Sequence, residues 1–187
     1  MQNRKHQKRS YAVLQTIQWI LFAGLILLCY LFETSGSYHK PLVLIPAALC
    51  IASHTGEIQA MTVGAVCGLL LDLACGKLPG CNAILLVIFC VMVSLLYRYL
   101  LKQKLLNMLF LITICVFVQG FVDYVFYYAI WNYPDVELIL ENVIIPCGIM
   151  TIISGIVFYF VVKKIAESCQ SHRIQKLEKM NPFSDLD

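Results

Sequence analysis

Apolar residues run along this chain in long blocks broken by short polar interruptions, and the block lengths predict helices that cross a bilayer. A helix rises about 1.5 Å per residue, so about 20 apolar residues cover a hydrocarbon layer roughly 30 Å thick. Blocks near that length lie at about 11–32, 58–75, 81–98, 105–131 and 138–162. A further block, about 41–54, is short and contains Pro46. Two readings of it stand: a crossing aided by flanking residues, or a re-entrant dip. The dip carries His54 and Glu57 into hydrocarbon, at about 2.5–3.5 kcal/mol for an acidic group near the centre. A crossing leaves both in water at the turn Ser53-His54-Thr55-Gly56-Glu57. The crossing costs less, so the expected fold is an all-α membrane protein of six transmembrane helices. One domain then covers 1–165, followed by a polar cytoplasmic tail at 166–187.

The placement of charge gives the direction. With the N-terminus inside, Arg4, Lys5, Lys8, Arg9, Arg98, Lys102, Lys104, Lys163, Lys164, Arg173, Lys176 and Lys179 all fall on the cytoplasmic side, against Lys40 and Lys77 opposite. Lysine and arginine accumulate on that side in membrane proteins, so both termini are expected in the cytoplasm. Tyr30, Tyr97, Tyr99, Trp131 and Tyr133 stand near predicted span ends, where amphipathic rings anchor. The basic N-terminus precedes an uncharged stretch longer than a signal-peptide core and with no small-residue cleavage site after it, so it reads as a retained first span. In the tail, Ile174, Leu177 and Met180 fit a weak amphipathic helix on the membrane surface, and a solvated tail fits equally well.

Composition agrees: 60% of the 187 residues are hydrophobic and 13% charged, more apolar surface than one soluble core can hide. The length leaves no room for an additional soluble catalytic domain, and the net charge of +3 does not point to nucleic acid. The nine cysteines lie mostly inside apolar runs and form no CxxC or other metal-ligand spacing, so they read as packing residues. Cys75 and Cys81 flank a short loop, where pairing stays open.

The most informative stretch carries Gly64, Gly68, Asp72, Gly76 and Gly80 at every fourth position, then Ala83. Four residues turn a helix by about 400°, so these positions form one slowly drifting stripe. Glycines on a membrane helix let a neighbouring backbone approach closely, where lipid offers no hydrophobic drive for association. Asp72 within a span is costly and calls for a partner; Asp123 lies at similar depth in the fifth span, beside Gln119 and Gly120. Either the two acids share a polar pocket with one carboxyl protonated, or they accept hydrogen bonds from Asn82, Tyr127 or Thr151, or each caps loop backbone at the outer surface. Pro146, followed by Gly148, Thr151, Ser154 and Gly155, is expected to kink the last span. Intramembrane aspartyl proteolysis needs two carboxylates sharing a proton, and the Tyr-Asp and Gly-x-Gly-Asp signatures of that chemistry are absent, as are HExxH, GxSxG and a P-loop. His6, His39, His54 and His172 have no second ligand nearby in sequence. No enzyme, cofactor or metal is expected.

The pattern G-x3-G-x3-D-x3-G-x3-G-x2-A, filled by Gly64, Gly68, Asp72, Gly76, Gly80 and Ala83, resembles the MreD family of rod shape-determining proteins. The chain length, the basic N-terminus, Pro41 opening the second segment, and Asp123 within Val-Gln-Gly-Phe-Val-Asp-Tyr-Val-Phe are similar too. Outside the stripe the resemblance is one of hydropathy, and the tail after Val162 exceeds the family minimum. The resemblance implies a non-enzymatic part of the bacterial elongation machinery in the cytoplasmic membrane. Such a protein works with a single-span MreC-like protein, and indirectly with MreB filaments, RodA and a class B penicillin-binding protein. Gly64, Gly68, Asp72, Gly76, Gly80 and Asp123 are then candidate helix-packing or partner-binding residues. The Gly64/Gly68 face serves either as a groove for a partner helix or is consumed within the chain. The basic segments at 98–104 and in the tail suit anionic membrane lipid, at about 1 kcal/mol per residue. The alternative is a substrate-binding subunit of an energy-coupling-factor vitamin transporter, also a small six-helix protein, with an outward pocket around Asp72, Gln119, Asp123, Tyr124 and Tyr127. Such a pocket usually has more converging polar groups.

Overall fold

The computed structural model describes residues 2–35, 41–76, 79–100, 104–126 and 145–180, with side chains over 15–35, 41–76, 79–100, 104–126 and 146–168. The described elements are all helical: α1 (Gln2–Thr34), α2 (Leu44–Ser53), α3 (Glu57–Cys75), α4 (Cys81–Tyr99), α5 (Leu105–Tyr124) and α6 (Ile145–Met180). Five stretches, Gln15–Thr34, α3, α4, α5 and Pro146–Ser168, are long and apolar enough to cross a membrane. Their outward faces are apolar; Ile58 is 82% exposed and Leu106 76%. That surface suits hydrocarbon, and the protein is a multi-pass membrane protein.

The second expected span, 41–54, takes a different form. α2 has ten residues and is about 15 Å long, half the hydrocarbon thickness. Every residue from Leu44 to Ala52 is buried, and α2 packs against all five other helices. Its alanines let those neighbours come close. Pro46 is the third residue of the helix, where the backbone has no intrahelical acceptor to lose.

Both ends of α2 need partners, because the helix is enclosed by its neighbours and its terminal backbone groups have no intrahelical partner. At the start, Leu42 N–H donates to Thr151 Oγ1 at 2.9 Å and Leu44 N–H to Glu33 Oε1 at 3.4 Å. A carboxyl oxygen there also suits the positive end of the helix dipole. At the other end, the Ser53 and Thr55 hydroxyls donate to the Cys50 and Ile51 carbonyls, and Thr55 O accepts from Ser94 Oγ at 2.9 Å. His54, in the following turn, interacts electrostatically with Glu167 and Lys163 of α6. Thr151 and Lys163 are about 18 Å apart along a helix. The segment therefore runs alongside α6 from Thr151 towards Lys163, as a short rod sheathed by protein.

This arrangement makes Thr151→Val informative, since shape is kept and the acceptor for Leu42 N–H is lost. The expected result is a loss of about 1–3 kcal/mol, seen as a lower melting temperature in detergent, with Thr151→Ser close to wild type. Equal melting of Thr151→Val and wild type overturns the role of this bond.

The remaining boundaries differ from expectation in detail. The fifth span, expected over 105–131, is described as helix to Tyr124. Residues 127–144, with Tyr127, Trp131, Tyr133 and Glu141, lie outside the described residues. Pro146 is the second described residue of α6, so the expected kink lies at the edge of what is described. α6 then continues unbroken past position 166 to Met180. Its last turns contain neither glycine nor proline, and their Lys, Glu, Gln and Arg residues favour helix. Cys75 and Cys81 are not joined by a disulfide, so the pairing left open by their spacing is not made.

Candidate functional site

The glycine stripe is built into the α3–α4 hairpin. A Cβ placed on Gly68 would stand 2.3 Å from Ala83 Cα, and one on Gly64 2.9 Å from Val87 Cα. Advancing four residues on α3 thus moves back four on α4, the register of two antiparallel helices in backbone contact. Gly64 and Gly68 are consumed within the chain, not held open as a groove.

One turn further along α3 the facing position is no longer helix but the connecting turn. There Asp72, fully buried, accepts the Gly80 N–H on Oδ2 at 2.7 Å. Gly76 ends α3 in the left-handed region at φ 63° and Gly80 opens α4 at φ 113°; side chains disfavour both conformations. The stripe therefore performs three tasks in order: helix contact at Gly64 and Gly68, a side-chain cap at Asp72, and chain reversal at Gly76 and Gly80. Of the readings of Asp72, the cap is the geometry found. Its other oxygen, Oδ1, has no hydrogen-bond partner among the described residues.

Beside the cap, Gln119 Nε2 donates to Asn82 Oδ1 at 2.9 Å, both residues buried, and this ties α5 to the start of α4. Asp123 follows Gln119 one turn later on α5 and is half-buried. Among the described residues, no hydrogen bond joins it to Asp72. Thr151, expected as a donor to these acids, serves α2 instead, donating to Cys147 O while accepting from Leu42. Among the described residues no group of three or more His, Cys, Asp or Glu converges to hold a metal ion.

Glu33 is the residue that sequence reasoning missed. It is 3% exposed and continues the buried face of α1 formed by Phe22, Ile26 and Cys29. The three- and four-residue spacing of these positions carried the signal, since an acid on a buried stripe needs a donor. An outward ligand pocket at Asp72 and Gln119 would need both to face open space. Here Asp72 holds Gly80 and Gln119 holds Asn82.

No curated protein and no solved structure matches the chain. A family model described as the rod shape-determining protein MreD matches residues 8–169. That match takes in every described span and the whole of the α3–α4 hairpin, and the chain belongs to the MreD family of rod shape-determining membrane proteins.

Proposed function

We propose that this chain is a non-enzymatic scaffold of the bacterial elongation machinery, seated in the cytoplasmic membrane with both termini in the cytoplasm. In this reading it maintains rod shape by linking an MreC-like single-span protein, and MreB with it, to lateral peptidoglycan synthesis by RodA and its penicillin-binding protein. The observation that carries it is family membership over nearly the whole chain. The physical form supports it: five spans expose apolar faces, so partners are met largely through helices and short loops.

The orientation has its own support. α1 ends, and α6 begins, at the end of the bundle where α2 starts, because Glu33 and Thr151 both bond there. The two helices run in opposite senses, and Arg98, Lys104, Lys163 and Lys164 gather towards the far end, which the positive-inside bias assigns to the cytoplasm. Cys75, exposed beside the α3–α4 turn, then faces outward. A membrane-impermeant maleimide is expected to label it in intact cells, and labelling only after permeabilisation reverses the orientation. For the function itself, depletion in the bacterium that makes the protein is expected to turn rods into spheres, and the tagged protein to copurify with an MreC-like partner. Cells that stay rod-shaped through depletion overturn the reading.

A further inference from the structure

We draw no further inference here: the strongest candidate, the exposed apolar face of α1 around Gly24, where an added side chain would meet nothing within 4 Å, is an unpartnered surface and nothing in the structure shows what covers it.

Discussion

Gly68→Leu is expected to abolish recovery of folded protein from the membrane, and Gly68→Ala alone to lower its melting temperature clearly. The first added carbon would sit 2.3 Å from Ala83 Cα and 2.8 Å from Ala83 N, and backbone atoms cannot swing aside as a side-chain tip can. The helices must part, and overpacking of this kind costs about 1–3 kcal/mol for small additions and more for larger ones. Separation at Gly68 also draws the Gly80 N–H away from Asp72, one turn along the same face, so packing and polar losses add. Gly64→Ala, at 2.9 Å from Val87 Cα, is expected to be milder. Gly24→Ala is the control: nothing lies within 4 Å, and alanine is the better helix former by about 1 kcal/mol, so stability should hold or rise. Size-exclusion profiles and melting in detergent read the series. If Gly68→Leu melts like wild type, the backbone contact between α3 and α4 is wrong.

The second large effect is expected at Asp72. Leucine branches at the same carbon as aspartate but offers no acceptor, so Asp72→Leu leaves the Gly80 N–H without its bond at the turn. This part-buried bond is worth about 0.5–1.5 kcal/mol, and the left-handed backbone at Gly80 loses the bond that holds it. Asp72→Asn keeps an oxygen acceptor and is expected to remain close to wild type, both in melting and in restoring rod shape to depleted cells. The ordering of the two variants decides the point. Equal damage from asparagine and leucine would mean that the charge itself matters and the cap does not explain the residue.

What the chain revealed before its fold was known follows from geometry. Spans are legible because bilayer thickness sets a length. The stripe of Gly64, Gly68, Asp72, Gly76 and Gly80 is legible because a four-residue interval is nearly one helical turn. Even so, that interval left open whether the stripe met an external helix or α4, since a close approach looks the same from one side. The enclosure of α2 was hidden for a different reason. Leu44 to Ala52 is apolar throughout, so no periodic face separates lipid contact from protein contact. Leu42–Thr151 is a bond between residues far apart in sequence, and no local pattern announces it. Hydropathy assigns Asp123 a depth near the end of its span, but depth alone does not say what a side chain meets.

The enclosure of α2 bears on how the protein is assembled. Ten residues are too few to hold a place in the bilayer alone, and the N–H group of Leu42 would meet hydrocarbon without its acceptor. Glu33 emerges before this segment, but Ser94 and Thr151 emerge from the ribosome later. The central rod therefore reaches its final seat only after the last span has been made, so biogenesis ends with its middle.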